Sequence, residues 1–295
     1  MKLPEWLGIR KEMFAWGAAG SCIFILCLIA TFPYEALHAR LTAELNRATG
    51  IEARVAEWSV DWPAGIEWRH VTLAKPDWDP IQVAGLQANL GLLRALGGGL
   101  AVDVAVRLDD TSPAAGRADA TLSSSSWSME APVSVTGRLQ QIDLSRVLRR
   151  YISRGMLNAN FSLRIDAGRP ESGVVKGEGT WNADASDVAV DHIPLGNGRT
   201  LSLTFTKVSA GITCRDNVCT VSELKGDGAD GSFTGEGTIT LDQSILNSQL
   251  ALTVTIVPGA GFVPKAGALG LPPLPVGTPL TVKIVGPLAQ ARIAL

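Results

Sequence analysis

The run from Met13 to Phe32, MFAWGAAGSCIFILCLIATF, constrains this chain more than any other stretch. It holds no charged residue, and it has the length at which one helix crosses a bilayer, about 20 apolar residues. Lys2, Arg10 and Lys11 precede it, and no further Lys or Arg occurs until Arg40. That asymmetry predicts a cytoplasmic tail over residues 1–12 and export of everything after the run. Arg10, Lys11 and Trp16 are the membrane-flanking residues. A cleaved signal peptide is the competing reading; its apolar core runs about 7–15 residues and ends in a small-x-small site. Here the run is longer, and neither Leu-Ile-Ala at 28–30 nor Leu-His-Ala at 37–39 puts a small residue at both key positions. Ala-Gly-Ser-Cys, ending at Cys22, is not a lipoprotein box, because the most apolar residues follow the cysteine. The expectation is an uncleaved anchor over residues 13–32.

Charge and motifs exclude several function classes. With 26 basic and 28 acidic residues and no basic stripe interleaved with aromatics, nucleic acid is not an expected partner. The charged fraction of 18% is low against the usual ~25%, which implies either a large core or apolar surface left open. His38, His70 and His192 are accompanied by no G-x-S-x-G elbow, and no H-E-x-x-H or phosphate loop occurs, so neither an enzyme nor a cofactor is expected. Asp227-Gly-Ala-Asp-Gly, with Glu223 and Glu236 nearby, has oxygen ligands suited to calcium but lacks the register of a calcium loop. A hairpin turn is the expected reading there. Gly177-Glu-Gly and Gly235-Glu-Gly are too short for nucleotide loops, and glycine inside a strand marks a bulge or a close backbone approach.

Of the four cysteines, Cys22 and Cys27 are filler within the apolar run. Cys214 and Cys219 flank Arg215–Val218, a four-residue turn with Asp216-Asn217 at its tip, between two strands. Cysteines opposite each other in a hairpin reach disulfide geometry, and closing so short a loop stabilises by roughly 2 kcal/mol. An exported, oxidising compartment suits that pairing. Free thiols and a metal site are the alternatives, the metal lacking any nearby His.

Residues 33–48 read as an amphipathic, membrane-proximal helix, with Leu37, Leu41 and Leu45 every four positions and Gly50 where a helix stops. Alternating apolar and polar residues then predict strands near 51–55, 65–73, 81–90 and 100–108, with a helical turn at 91–96 broken by Gly97-Gly-Gly. Residues 111–132 are rich in Ser, Ala and Gly and fit either a polar strand pair or a loose connection. A strand over 133–139 and a short helix from Asp143 to Tyr151, capped by Asp143, come next. From Gly155 the pattern is almost all strand, near 157–165, 174–181, 186–190, 201–208, 211–213, 219–224, 232–241 and 250–257. Gly177-Glu-Gly-Thr and Gly235-Glu-Gly-Thr echo each other and lead to turns at Asp184 and Asp242, suggesting one sheet built by repetition. The Pro- and Gly-rich segment 258–279 is expected to be irregular, and a last strand covers 280–285.

Two apolar features point to a surface role. Ile66, Trp68, Leu86, Leu90, Val102, Val104 and Val106 are predicted to share one face; uncovered, that groove marks a site for lipid or protein. Open sheet edges could also accept a partner's strand. Trp58, Trp62, Trp68 and Trp78 crowd the first strands, either as core rings or as membrane-interface anchors.

The anchor and its following helix run into Ala48-Thr-Gly-Ile-Glu-Ala, followed by Pro63-Ala-Gly-Ile-Glu-Trp-Arg-His-Val-Thr-Leu. Leu92-Leu-Arg-Ala-Leu-Gly-Gly-Gly, Val135-Thr-Gly-Arg-Leu-Gln-Gln-Ile-Asp-Leu and Gly155-Met-Leu-Asn-Ala complete the set. Together these pieces resemble the AsmA/TamB-like group of envelope proteins and, within it, the general secretion pathway protein N family of type II secretion systems. The resemblance covers most of the chain in layout, through short and degenerate motifs. It implies a mainly β fold: one transmembrane helix, then an elongated, curved antiparallel sheet (AsmA-like) with an apolar concave face and a few short helices. The implied location is the bacterial inner membrane, single-pass, with residues 33–295 in the periplasm. The implied role is structural, in export of folded proteins, with the inner-membrane platform or outer-membrane channel as partners. Larger relatives are thought to conduct lipids, so lipid binding or transfer, with membrane lipids as partners, is the alternative. No catalytic residue, metal or cofactor comes with the family.

Overall fold

A computed structural model of the chain describes residues 16, 20, 23, 34–61, 64–75, 78–108, 116–126, 128, 131–149, 152–166, 177–194, 200–242, 247–268, 275–287 and 292–294. Most of the apolar run, with Arg10 and Lys11, lies outside them. Trp16, Gly20 and Ile23 are helical, and Trp16 is exposed. No described helix is long and apolar enough to cross a membrane. By contacts the chain forms two units, Met1–Ala53 and Arg54–Leu295.

In the first unit, helix α1 (Tyr34–Thr49) carries Glu35 in its first turn and Arg47 in its last, each sign matching the helix dipole. Gly50 ends it in the left-handed conformation, φ 67°, and donates to the carbonyl of Asn46.

The rest is one sheet of 14 antiparallel strands in sequence order, each beside its predecessor. They are β1 (Glu52–Asp61), β2 (Gly65–Lys75), β3 (Trp78–Leu90), β4 (Leu100–Arg107), β5 (Arg117–Ser124), β6 (Val133–Asp143) and β7 (Ile152–Ile165). Then come β8 (Gly177–Pro194), β9 (Thr200–Arg215), β10 (Val218–Gly228), β11 (Gly231–Thr240), β12 (Gln249–Pro258), β13 (Leu280–Pro287) and β14 (Arg292–Ala294). Among the described residues three short helices interrupt the meander: α2 (Leu92–Leu96), α3 (Leu144–Val147) and α4 (Phe262–Ala268).

Connections in a meander alternate between the two ends of the sheet, so α3, between β6 and β7, and α4, between β12 and β13, lie at the same end. Under α3 a small core forms from Leu144, Ala185 and Val188, with Ile152, Leu157 and Phe205 packed against it. At that end β2, β6 and β8 each carry a non-glycine residue in the left-handed region: His70 at φ 51°, Gln141 at φ 48° and Asp187 at φ 53°. Side chains alternate strictly along a strand, so changing which residues face the apolar side needs such a step. In β2 the apolar set moves from Ile66 and Trp68 to Val71 and Leu73; in β8 it moves from Ala183 and Ala185 to Val188 and Val190.

Several expectations are corrected. The helix from Asp143 spans only Leu144–Val147: Asp143 caps it, accepting from the Ser145 amide at 2.9 Å, but Leu148 leaves helical geometry. β7 then starts early, because Ile152 and Leu157 pack on Leu144. The separate strands expected near 174–181 and 186–190 are one 18-residue strand, and Asp184 sits inside it, paired with Asn158 and Ser209, rather than in a turn. β9 likewise absorbs two expected strands. Segment 111–132, open by sequence between a polar strand pair and a loose connection, holds one strand among its described residues, β5. Segment 258–279 contains α4; Pro264 lies in its first turn, where a backbone N–H has no helical partner to lose.

Candidate functional site

Pairing registers line the strands' apolar residues into continuous rows. Trp68, Leu86, Val106, Ala118 and Leu139 lie opposite one another in turn on β2 to β6. The row continues on β7 to β13 through Ala159, Ala183, Ala210, Leu224, Gly235, Val254 and Val282. Every member is apolar or glycine. A second row holds Ile66, Ala88, Val104, Ala120, Gly137, Phe161, Trp181, Ile212 and Val221. In between, on the other face, Glu67, Gln87, Asp119, Arg138, Asn160 and Asn182 occupy one row with Ala105.

The seven residues expected to form a groove share this apolar face. Trp68 aligns with Leu86 and Val106, Ile66 falls in the Val104 row, and Leu90 pairs with Val102. Ile66 and Trp68 are buried while the other five are half-buried. Farther along, Leu163 at 39% and Trp181 at 37% are exposed on the same face, so no second layer of described residues closes over them. Of the four early tryptophans, Trp68 is buried and Trp58 exposed; the side chains at 62 and 78 lie outside the described residues.

Aromatics broaden the face. Phe161 stacks on Trp181 with centroids 5.4 Å apart, and Phe205 meets Phe233 edge-on at 5.0 Å. Two of these rings lie where glycine leaves room: a Cβ at Gly137 would enter the Phe161 ring, and one at Gly226 would enter the Phe233 ring. A ring over a strand glycine shields a backbone that has no side chain of its own.

Cys214 and Cys219 are disulfide-bonded across β9 and β10, Cα atoms 3.9 Å apart. The connecting tip is the two residues Asp216-Asn217 rather than four, with Asp216 left-handed at φ 54°. Gly179 and Ile239 flank the pair, so the disulfide is part of the apolar surface. Replacing both cysteines by serine is expected to cost about 2 kcal/mol, from the short loop it closes. Urea unfolding with and without reductant checks this; the variant should lose its sensitivity to reductant.

The polar face carries ion pairs. Glu67 accepts two hydrogen bonds from Arg69, at 2.9 and 3.2 Å, and one from Arg107 at 3.3 Å. The Arg69 hydrogen bonds, more than anything else, hold its carboxyl below the usual range. In the acidic segment Asp230 sits in the β10–β11 turn with its side chain 3% exposed. It accepts from the Thr204 amide at 2.6 Å, the Thr204 hydroxyl at 2.8 Å and Lys265 Nζ at 2.6 Å. Among the described residues no cluster of three His, Cys, Asp or Glu could hold a metal.

One feature of the site has no signal in the sequence. A cavity of about 1340 Å³ lies where β2, β3 and the end of β4 meet α3 and the start of β7. Val71, Val83, Leu108 and Ile152 line it together with His70, Arg146 and Arg149. Read linearly, the two arginines are the outer face of a short helix; only the fold sets them beside strands some 60 to 80 residues earlier. No protein-family model, no curated protein and no solved structure matches this chain.

Proposed function

We propose that this chain is a lipid-binding or lipid-transfer protein of the cell envelope that holds acyl chains along its apolar sheet face. The supporting observation is the apolar face: an unbroken row from Trp68 to Val282, with Leu163 and Trp181 exposed in the rows beside it. At about 4.8 Å between strands, the row from β2 to β13 extends roughly 50 Å, longer than one acyl chain. Each buried methylene contributes about 0.8 kcal/mol, so an exposed strip of this kind suits long hydrocarbon and not a small polar substrate. A photo-cross-linking residue at Leu163, in the full chain expressed in membranes, should capture lipid detectable by mass spectrometry. The same residue at Ser162, on the opposite face, should not. Equal capture at both positions, or none at Leu163, sinks the reading.

A second reading is a structural role in type II secretion, motivated by the family resemblance and one observation at the sheet's edge. β14 pairs only with Lys283, Ile284 and Val285 of β13. Leu280, Thr281 and Val282 therefore present an outer edge with no strand partner among the described residues, a site at which a partner's strand could add. Deleting the gene in its host decides between the two. Folded exoproteins stranded in the periplasm behind an intact outer membrane favour secretion; normal secretion with an altered outer-membrane lipid composition favours lipid transfer.

A further inference from the structure

We propose that the cavity beneath α3 is a headgroup site for an anionic, phosphate-bearing lipid whose acyl chains lie on the adjoining apolar face. This rests on the acyl-chain reading above and adds a polarity to it: headgroup at the α3 end, tails along the rows.

Three observations carry it. The first is continuity. Leu108, on the cavity wall, is the next residue on the same side of its chain after Val106, a member of the apolar row. Val71 and Val83, 1% and 2% exposed and paired with each other, add apolar wall to the same cavity. An amphiphile can therefore pass from the row into the cavity without leaving apolar surface.

The second is charge. Among the described residues the lining holds Arg146, Arg149 and His70 and no carboxylate. Arg146 lies 3.5 Å from Asp143, which is outside the lining. Arg149 makes no ion pair with any described residue. Two guanidinium groups meeting at one opening suit a phosphate, which their planar forks engage through paired hydrogen bonds. Ser145 and Ser153 also line this wall, their hydroxyls donating to the Asp143 carboxylate and the Ala189 carbonyl.

The third is size. The cavity, at about 1340 Å³, exceeds the usual span of small-ligand sites, about 300–1,000 Å³. It accommodates a headgroup together with the first methylenes of its chains, whereas a lone phosphate would leave the apolar wall bare.

The test uses the full chain in detergent with three probes: dioleoyl phosphatidylglycerol, dioleoylglycerol with the same tails and no phosphate, and glycerol 3-phosphate with no tails. The chain should bind the anionic lipid about tenfold or more tighter than the uncharged one, as expected for a charge-assisted contact. Arg146→Glu with Arg149→Glu should remove that preference and leave binding of dioleoylglycerol unchanged, with circular dichroism verifying the sheet. Arg149→Gln alone should give an intermediate loss. Equal binding of the two lipids, or a preference that survives the charge reversal, overturns the headgroup site while leaving the acyl-chain reading in place. Competition by glycerol 3-phosphate as effective as the whole lipid also overturns it, since the tails would then play no part. If neither lipid binds, the acyl-chain reading fails and the headgroup site fails with it.

Discussion

Glutamate at both Leu163 and Trp181 should abolish lipid binding while leaving a folded protein. The two positions pair with neighbouring rows on β7 and β8: Leu163 lies opposite Gly179, and Trp181 lies between Phe161 and Ile212. A carboxylate at either point must lose its hydration when an acyl chain settles over it, which costs several kcal/mol unless it takes up a proton. Binding is expected to fall by about 100-fold or more, equivalent to roughly 3 kcal/mol. The folding cost should be far smaller, about 1 kcal/mol per site, because both side chains are more than a third exposed and the main loss is the stacking with Phe161. Ser162→Glu with Thr180→Glu is the matched control, since these two pair on the opposite face of the same strands. Lipid retained on the purified chain, set beside its thermal midpoint, separates the alternatives. A variant that unfolds before it unloads would mean the face is a packing seam; one that folds and still carries lipid would place the site elsewhere.

How far the sequence reveals this site depends on the range of the interaction involved. Alternation along β3, β4 and β6 is a local property, so the strands and the shared face of Ile66, Trp68, Leu86 and Val104 are readable before any pairing is known. The hairpin disulfide is readable for the same reason, since its ends are five positions apart. Reading breaks down where neighbours override local preference. Asn182–Ala185 and Ser209–Gly211 look like strand ends because Asn, Gly and Ala are poor strand formers, yet β8 runs through the first and β9 through the second, each paired on both sides. The steps at His70, Gln141 and Asp187 do leave a trace, as apolar residues change from even to odd positions or the reverse. A strictly periodic reading passes over it as noise. Nothing local announces the cavity, because Arg149 and Val83 line it together only once the strands between them are paired.

Asp230 is where charge and fold are most tightly linked, and its replacement by alanine should be the largest single stability loss in the sheet. Burial by itself pushes this carboxyl up; hydrogen bonds from Lys265 and from the Thr204 hydroxyl and amide, with the Lys265 charge, outweigh it and hold the group below its ordinary value. Lys265 also donates to the Ser202 carbonyl at 3.1 Å, so this one contact ties α4 to β9 and to the β10–β11 turn. Asp230→Ala leaves the Thr204 amide without its acceptor and releases α4, at a cost of about 3 kcal/mol; Lys265 is 34% exposed and recovers part of its hydration, which keeps the loss from being larger. A carboxyl depressed in the folded state stabilises fully above its unfolded pKa, near 4, and that stability drains away as pH falls through the lower folded value. The gap between the natural chain and Asp230→Asn should accordingly be constant from about pH 5 to 8 and close in stronger acid. Lys265→Met removes the main opposing effect, so burial is then resisted only by Thr204 and the acid-side slope should flatten. Denaturant midpoints measured across pH for the three chains test this ordering. A gap that persists unchanged into acid would show that the Asp230 charge contributes nothing, and that α4 is held by Ala266 and its apolar contacts instead.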